Sequence, residues 1–491
     1  MNILRQARSR LIPGALTQRT GVVRRMKGLT IEAEGPRAPE VGELCSILTA
    51  GEGPDGFVDP RDGSGAGMLA EVVAVQPGLV TLMPYGSLQG LAAGSTVVAR
   101  GSESHVAVGD QLLGRVIDCF GQPLDGGAVP AASERRPIRG LPQNPMLRPR
   151  ITRVLETGIR SVDALLTLGQ GQRVGIFAGS GVGKSTLLGM IARHVKADVN
   201  VIALIGERGR EVREFIEKQL GPEGLARSVV IVATADQPAP ARLRAAYAAV
   251  AVAEYFRDQG RQVVLTMDSI TRFAMARREV GLAAGEPPTA RGYTPSVFAE
   301  LPQLCERCGT GASGGSITAL LTVLVEGDDL NEPVSDALRA ILDGHVVLSR
   351  QIAHQGQYPA VDVLKSASRL MPELATAAQR DVASRAVQLL ALLERNHQMV
   401  ELGAYEAGSN PRLDAALQLR DGLLDWLRQA EGGVPREAAL RQLEELLRAP
   451  VDKPVAPAQA PAAAGLAPAG GARDGKMPTA PRQPPVAGAR R

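Results

Sequence analysis

Residues 174–186 read VGIFAGSGVGKST: an apolar run, a glycine-rich loop and the start of a helix-forming segment. Glycines let the backbone N–H groups of such a loop turn inward around phosphate, and the dipole of the following helix favours the same negative charge. In this arrangement Lys184 reaches the β- and γ-phosphates and the hydroxyl of Ser185 holds Mg²⁺. The stretch therefore predicts a phosphate-binding loop.

The loop departs from the G-x-x-x-x-G-K-[ST] pattern at one position, because Ala178 stands where the first glycine is usual. The context of strand, loop and helix still favours a nucleoside-triphosphate site with Mg²⁺ as cofactor. The predicted nucleotide-binding residues of the loop are Ala178, Gly179, Ser180, Gly181, Val182, Gly183, Lys184, Ser185 and Thr186.

Apolar runs and helix-forming segments alternate on both sides of this loop, from about residue 151 to residue 370. The runs are typical of buried parallel strands, and we predict them at 174–177, 201–205, 229–232, 263–267 and 317–325. The segments that follow predict helices at 185–195, 211–219, 242–257 and 271–280. Such alternation predicts an α/β domain, with a parallel sheet between layers of helices.

Two acidic residues directly follow predicted strands. Asp268 stands at the carboxyl edge of a buried strand, where Mg²⁺ or its water shell needs a negative partner, so we predict that it holds the metal together with Ser185, partly through water. Glu207 follows another strand, and a carboxylate beside the γ-phosphate can orient and polarise the attacking water. From spacing alone, Glu207 is equally compatible with an ordinary solvent-exposed charge at the end of a strand.

The rest of the chain differs in composition from this α/β segment. Short β-rich runs separated by turn signals occupy residues 21–100 and indicate a small barrel or sandwich, and residues 101–150 are predicted to form a linker, rich in Pro and Arg towards its end. Residues 371–449 predict a helical domain. Residues 450–491 are mostly Pro, Ala and Gly without periodicity, so we predict disorder there.

Positive charge is concentrated at the N-terminus. Residues 1–20 predict a basic amphipathic helix, with Ile3, Leu4, Ala7 and Leu11 on one stripe. The basic residues that precede the first acidic residue, Glu32, are Arg5, Arg8, Arg10, Arg19, Arg24, Arg25 and Lys27. Their summed positive charge exceeds the net charge of +4 of the whole chain, so the rest of the chain is mildly acidic. A mildly acidic body disfavours a nucleic-acid groove that runs over the whole protein.

The sequence contains neither an apolar run long enough to span a membrane nor a secretion signal, so we expect the protein inside the cell. Cys305 and Cys308 form a C-x-x-C, which is compatible with zinc or redox chemistry. A structural zinc needs four ligands, usually from a second such pair, and the sequence has none. We therefore predict two ordinary thiols in a helical stretch at residues 296–307.

Several further blocks resemble rotary and type III secretion ATPases. GERGRE at 206–211 resembles their G-E-R-x-R-E, and DSITR at 268–272 resembles D-S-x-T-R. The blocks that are similar to flagellar export ATPases in particular are GEPP at 285–288, YTPSVFAEL at 293–301, EGDD at 326–329 and ILDGH at 341–345. GRVID at 114–118 and GQPLDG at 121–126 resemble the linker of the superfamily. The resemblance covers roughly residues 20–430.

The resemblance implies roles for individual residues. Glu207 matches the base that polarises water, and Arg208 and Arg272 match residues near the γ-phosphate. Tyr358, in YPAVD at 358–362, matches a tyrosine that packs against adenine, although an ordinary core tyrosine is the alternative. Arg369, in SASR at 366–369, matches an arginine finger supplied to the neighbouring subunit.

Because the base and the finger occur in one chain, the resemblance implies a homo-oligomeric ring, a hexamer, in which each subunit hydrolyses ATP and completes its neighbour's site. It also implies an N-terminal β-barrel, a central P-loop domain of the RecA-like class and a C-terminal helical domain. The implied function is ATP hydrolysis coupled to protein export through the flagellar type III apparatus.

Three other functions remain alternatives. The ATPase of a virulence injectisome shares every catalytic motif. A ring-shaped nucleic-acid translocase shares the loop and a finger, but the acidic body and the lack of clustered aromatic and basic residues count against it. A catalytically silent ring is disfavoured by Glu207.

The resemblance also implies partners and a location. We expect a stator-like regulatory subunit at the N-terminal helix, a central stalk protein, export-gate membrane proteins, export substrates and chaperones. Contact with anionic lipid is a further expectation for the basic helix. These partners place the protein in the cytoplasm, at the inner face of the membrane at the flagellar base, with no nucleic acid bound.

Overall fold

The computed structural model describes residues 19–48, 67–101, 105–131, 133–325, 327 and 329–448. The predicted basic helix lies outside the described residues except for Arg19 and Thr20, and the predicted disordered tail lies outside them altogether. Glu326 and Asp328 of the EGDD block also lie outside. In the described part of the chain, no helix combines the length and apolarity needed to cross a bilayer.

A closed barrel of six strands forms the N-terminal part. The strands are β1 (Thr20–Lys27), β2 (Thr30–Glu34), β3 (Leu44–Ile47), β4 (Met68–Gln76), β5 (Leu79–Pro84) and β6 (Thr96–Ala99). Their order around the barrel is β1-β2-β5-β4-β3-β6. Alternate side chains, such as Ile31 and Ala33 of β2, are buried in the barrel core. The predicted barrel is confirmed.

The N-terminal basic residues that the structure describes are bound to the barrel. Arg25 donates to Glu32 at 2.6 Å across the β1–β2 pair, and Arg24 pairs with Glu34 in the same way. Arg19 pairs with Glu43, whose side chain is fully buried. These charges are therefore part of the barrel rather than of a separate arm.

Residues 101–150, predicted as a linker, contribute strands of their own. β7 (His105–Val108) pairs with β9 (Glu134–Pro137), and β8 (Arg115–Ile117) pairs in parallel with β14 (Ser228–Ala233) of the central sheet. A strand of three residues is too short to show a period in the sequence. This segment therefore forms one edge of the α/β domain.

Within the described residues, nine strands form the central sheet. Those not yet given are β12 (Arg173–Ala178), β13 (Val199–Ile205), β15 (Gln262–Asp268), β16 (Gly309–Thr310), β17 (Ser316–Leu324), β18 (Gly344–Leu348) and β19 (Val361–Ser368), and a separate two-stranded sheet joins β10 (Val154–Leu155) to β11 (Leu168–Gly169). The order is β19-β18-β12-β17-β15-β13-β14-β8, with β16 paired to β17 off this path. Strands β18 to β8 along this order run in parallel, and β19 is antiparallel to β18.

Helices cover the sheet and connect its strands. They are α1 (Arg160–Leu165), α2 (Lys184–His194), α3 (Gly209–Glu214), α4 (Gly221–Ala226), α5 (Ala239–Asp258), α6 (Ile270–Ala283), α7 (Pro295–Glu306), α8 (Pro333–Ile341), α9 (Arg350–His354) and α10 (Met371–Leu374). A π-helical turn, Phe215–Leu220, extends α3. The predicted strands and helices coincide with these elements to within a few residues, and the α/β fold class is confirmed.

Three helices form the C-terminal part: α11 (Ala377–Glu401), α12 (Pro411–Leu427) and α13 (Arg436–Arg448). Thr376 and Gln379 form a capping box at the start of α11, and Pro411 occupies the first turn of α12, where a missing N–H costs nothing. Leu423, Trp426 and Leu443 join the same core as β12 and α2. The helical part thus packs directly on the α/β domain beside the glycine-rich loop.

Cys305 and Cys308 are buried in the larger core, Cys305 within α7 and Cys308 just beyond its end. Both thiols are free, and burial raises the pKa of Cys308 to about 12. Among the described residues no group of three or more His, Cys, Asp or Glu is placed to hold a metal.

Candidate nucleotide-hydrolysing site

The glycine-rich loop projects from the carboxyl edge of the sheet. β12 ends at Ala178 and α2 begins at Lys184, so Gly179–Gly183 form the turn. Gly181 and Gly183 have φ of +77° and +86°, in the left-handed region that favours glycine. Ala178, which replaces the usual first glycine, is buried at the end of the strand, so the change leaves the turn itself unaltered.

Lys184 lies between two carboxylates. Its Nζ is 2.5 Å from Oδ1 of Asp268 and 3.5 Å from Oε1 of Glu207. Burial alone lowers the pKa of Lys184, but the charges of Asp268 and then of Glu207 outweigh that effect, so the pKa lies above its ordinary value. The lysine is therefore a fixed positive charge at the mouth of the loop.

Asp268 is the last residue of β15, and its side chain is 4% exposed. The hydroxyl of Thr322, in the neighbouring strand β17, donates to Oδ1 of Asp268 at 2.7 Å. This hydrogen bond and the contact with Lys184 compensate for taking the carboxylate out of water. The sheet thus holds Asp268 in one place beside the loop.

Glu207 reaches the same point from β13, two strands beyond β17. Its side chain is 17% exposed, and burial raises its pKa to about 7. Lys184 opposes this rise, while the negative charges of Asp268 and Glu211 add to it. A carboxyl group that titrates near neutral pH can both accept and return a proton, which suits a general base.

Of the two arginines expected near the γ-phosphate, Arg272 lies beside the cluster. Its carbon stem packs against Gly206, where an added Cβ would come within 3.0 Å of the Cβ and Cγ atoms of Arg272. Its Nε is buried and has no hydrogen-bond partner among the described residues. The contact with Gly206 places the stem of Arg272 next to the residue that precedes Glu207.

Arg208 does not join the cluster in this structure. Its side chain is 78% exposed and pairs with Glu211 at 3.2 Å. The physical reason is local: Arg208 is the N-cap of α3, and there the chain has already turned away from the sheet edge. Its expected position near the γ-phosphate stays a prediction.

Tyr358 lies next to the loop rather than in the core. Its side chain is 46% exposed, and its ring carbons lie 3.2 Å and 3.3 Å from where a Cβ on Gly183 would be. The alternative of an ordinary core tyrosine is therefore wrong. A half-exposed aromatic face beside a phosphate-binding loop is available for stacking on a base.

Arg369 lies at the opposite edge of the sheet. Ser368 pairs with Gly344, which is level with Val174, whereas the loop begins after Ala178, four residues further along β12. At about 3.3 Å per residue this separates Arg369 from the level of the loop by about 13 Å along the strands alone. Arg369 is exposed, and its Nη2 donates to the carbonyl of Arg339 at 3.3 Å. Its guanidinium therefore cannot contact a nucleotide in its own loop.

The oxygen donors at the loop fit a hard divalent cation. Ser185 is exposed in the first turn of α2, and the Asp268 carboxylate lies across from it at the same sheet edge. Mg²⁺ takes one or two protein oxygens and completes its shell with water and phosphate, so it needs no cage of protein ligands. The residues present thus fit a cation that arrives with a nucleotide.

Comparison with known proteins agrees with this geometry. The nucleotide-binding domain of the ATP synthase alpha/beta family matches residues 158–368, and the C-terminal domain of the type III secretion ATPase EscN matches residues 375–445. The flagellum-specific ATP synthase of Bacillus subtilis is 53% identical over 84% of this chain and 91% of its own length. The type 3 secretion system ATPase of Xanthomonas euvesicatoria is 48% identical over 84% of this chain and 91% of its own length. The chain belongs to this family of flagellar and type III secretion ATPases.

Solved structures of the family share the whole architecture. The assembled ATPase EscN of the enteropathogenic E. coli type III secretion system has a TM-score of 0.80 and 40% identity, over 87% of this chain and all of EscN. EscN in complex with its central stalk EscO has a TM-score of 0.78 at the same identity. The similarity thus includes the barrel, the nucleotide-binding domain and the C-terminal helices.

Two contacts of the site escape sequence reasoning. Thr322, which fixes Asp268, lies in the middle of an apolar strand and carries no motif. The only available signal is a hydroxyl in a buried run, which must find a partner. Gln429 of the C-terminal part donates its backbone N–H to the carbonyl of Tyr358 at 2.8 Å, across 71 residues of sequence that carry no marker of the contact.

Proposed function

We propose that this family member hydrolyses ATP and couples hydrolysis to protein export through a flagellar type III apparatus. The observation that carries the proposal is the cluster at the loop: a charged Lys184 between Asp268 and Glu207, with the pKa of Glu207 near 7. The identity to flagellum-specific ATP synthases over most of the chain supports the choice of system.

In the proposed reaction, Lys184 leaves its carboxylate partners for the β- and γ-phosphates when ATP binds. Ser185 and, through water, Asp268 would hold a Mg²⁺ ion, which would neutralise charge on the phosphates. Glu207 orients the attacking water and takes its proton. Arg272, whose carbon stem packs against Gly206 beside the cluster, lies near the γ-phosphate, and Tyr358 stacks on adenine.

Arg369 acts on the site of a neighbouring subunit in this proposal. Its position at the far sheet edge excludes its own site, and its exposed guanidinium is available to a second copy of the chain. A guanidinium neutralises the charge that develops on the transferred phosphoryl group. We therefore propose a homohexameric ring with shared sites, and the solved structure of EscN as an assembled ATPase supports a multi-subunit state.

Partners beyond the ring remain proposals. A central stalk is supported by the complex of EscN with EscO. A regulatory subunit or anionic lipid at residues 1–20, export-gate proteins, substrates and chaperones follow from the family resemblance. The location at the cytoplasmic face of the membrane follows from those partners.

The test of ATP hydrolysis is phosphate release by purified wild type, Lys184→Ala and the matched control Lys218→Ala. Lys218 is an exposed lysine of the π-helical turn that pairs with Glu214. Loss of the charge aimed at the phosphates should abolish turnover in Lys184→Ala only. Near-normal turnover by Lys184→Ala would refute the assignment of the loop.

The injectisome alternative is supported by the similarity to the Xanthomonas ATPase and to EscN. Expression of this chain in two hosts separates the systems. One host is Bacillus subtilis without its own flagellum-specific ATP synthase, scored for swimming, and the other is Xanthomonas euvesicatoria without its type 3 secretion ATPase, scored for effector secretion. We expect rescue of swimming, and rescue of effector secretion alone would favour the injectisome.

A further inference from the structure

The loop between α12 and α13 brings the C-terminal part of the chain to the edge of the nucleotide site. Gln429 in this loop is 5% exposed, although it is polar. Its backbone N–H donates to the carbonyl of Tyr358 at 2.8 Å. The residue expected to stack on the base is thus held by a segment outside the nucleotide-binding domain.

The side chain of Gln429 fixes that segment to a second point of the domain. Its Oε1 accepts a hydrogen bond from the backbone N–H of Arg160 at 2.9 Å, and its Nε2 donates to the carbonyl of Gly158 at 2.8 Å. Arg160 begins α1, and the N-cap of that helix provides no side-chain acceptor. Gln429 therefore satisfies one of the free N–H groups that every helix start leaves.

The neighbouring backbone reinforces the same attachment. Gly433 and Val434 also donate to the carbonyl of Gly158, at 3.0 Å and 3.3 Å. Gly158 has φ of +79°, and a Cβ there would come within 2.8 Å of the Gly433 nitrogen, so the close approach of the two segments requires glycine. These hydrogen bonds fix the segment that contains Gln429 to the residues before α1, and the backbone N–H of Gln429 donates to Tyr358.

The ring of Tyr358 lies between the phosphate-binding loop and solvent. Its side chain is nearly half exposed and touches Gly183 on one side. A stacking ring contributes affinity only if it is already in place when the base arrives, because ordering it afterwards costs free energy. The position of the Tyr358 backbone therefore bears on binding of the base.

We propose that Gln429 is a positioning residue that sets the affinity of the site for the base of the nucleotide by bracing Tyr358 against the start of α1. This inference rests on the proposed stacking role of Tyr358. It makes base affinity depend on the docking of the C-terminal helical part, whereas phosphate binding depends on the sheet edge alone.

The test compares Mg-ADP with inorganic pyrophosphate, which carries the same number of phosphorus atoms but no base. Dissociation constants are measured for wild type, Gln429→Ala, Tyr358→Ala, the double variant and the matched control Gln442→Ala, an exposed glutamine of α13. Gln429→Ala keeps the backbone hydrogen bond to Tyr358 but loses the side-chain hydrogen bonds to Arg160 and Gly158, so it should weaken ADP binding by about 3- to 10-fold and leave pyrophosphate binding unchanged. In the Tyr358→Ala background, Gln429→Ala should have no further effect on ADP.

Three outcomes overturn the proposal while leaving ATP hydrolysis intact. They are unchanged ADP affinity in Gln429→Ala, an equal loss for ADP and pyrophosphate, and additive losses in the double variant. Unchanged ADP affinity in Tyr358→Ala would instead remove the stacking role on which the inference rests.

A substitution of the same size tests the same contacts, with pyrophosphate binding as the check that each variant is folded. Gln429→Glu keeps an acceptor for Arg160 but sets a carboxylate against the Gly158 carbonyl. It should show the same base-specific loss, and a loss on pyrophosphate in this variant would also contradict the proposal.

Discussion

The two edges of the central sheet differ in whether their proposed site residues contact other site residues of the same chain. At the carboxyl edge, Lys184, Asp268 and Glu207 are mostly buried, and each carboxylate lies within 3.5 Å of the lysine. At the opposite edge, Arg369 is exposed, and the only hydrogen bond of its side chain among the described residues is the 3.3 Å contact with the carbonyl of Arg339. We call the first the assembled edge, because its site residues contact one another within the chain, and the second the exposed edge, because the side chain of Arg369 faces outward.

In the proposed shared site, this difference divides catalysis between subunits. Groups that bind phosphate and activate water must be in place before ATP arrives, and one sheet provides them. A group that stabilises only the transition state can come from a neighbour, so that turnover requires assembly. The substitutions below test the two edges separately, through their effects on ATP binding, on turnover and on the dependence of turnover on assembly.

The largest effect should come from the exposed edge. Arg369→Ala should bind ATP about normally but lose turnover by on the order of 10³ to 10⁵, because a finger acts on the developing charge. Its stability should not change, because the residue is exposed. Arg441→Ala, an exposed arginine of α13, is the control. If Arg369→Ala keeps normal turnover in the assembled state, the far edge has no part in catalysis.

At the assembled edge, Glu207→Gln keeps the size of the side chain and removes the charge that polarises water. ATP should still bind, and kcat should fall by about 10² or more. Single-turnover kinetics with saturating enzyme separate this loss from an effect on product release. An unchanged kcat would assign the base to another residue.

Burial of Glu207 predicts a pH dependence. The base must be ionised, and its pKa is about 7, so kcat/KM should rise with pH to a midpoint near 7 and fall about tenfold per unit below it. Glu207→Gln, measured over the same range, reports the titration of all other groups. A midpoint near the ordinary value of 4.5 would show that the carboxyl is not held in a buried environment.

The smallest effect concerns the support of Asp268. Thr322→Val removes the hydroxyl that donates at 2.7 Å and keeps the shape, so kcat should fall by only about 3- to 10-fold, corresponding to about 1 kcal/mol. Thr318→Val is the matched control, because this buried threonine of the same strand accepts from Gly171 instead. Equal loss of kcat in both variants would mean that the strand, not the contact with Asp268, matters.

The sequence predicts the assembled edge better than the exposed one. Strand ends at parallel-sheet edges converge, so Asp268 and Glu207 are predictable from their places after apolar runs. Arg369 follows a strand whose antiparallel direction is not visible in its composition, and only the family resemblance singles it out. Its isolation from its own loop is apparent only from the register of β18 and β19.

Other features depend on contacts between distant segments. β8 is too short for a period, so residues 101–150 resemble a linker although they complete the sheet. Gln429 has no local signal, because its partners are set by how the helical part docks. Arg208 matches its family block, but its side chain points to solvent from the N-cap of α3.

The most direct test of the shared site mixes two inactive proteins. Glu207→Gln subunits lack a base but keep the finger, and Arg369→Ala subunits lack the finger but keep the base. Mixed rings then contain interfaces where an intact Glu207 faces an intact Arg369, so ATPase activity should reappear, and only at concentrations that permit assembly. Subunit exchange is verified in parallel by energy transfer between labelled subunits. Exchange without regained turnover, or turnover no greater than the weighted sum of the two parents, would contradict a site built from two chains.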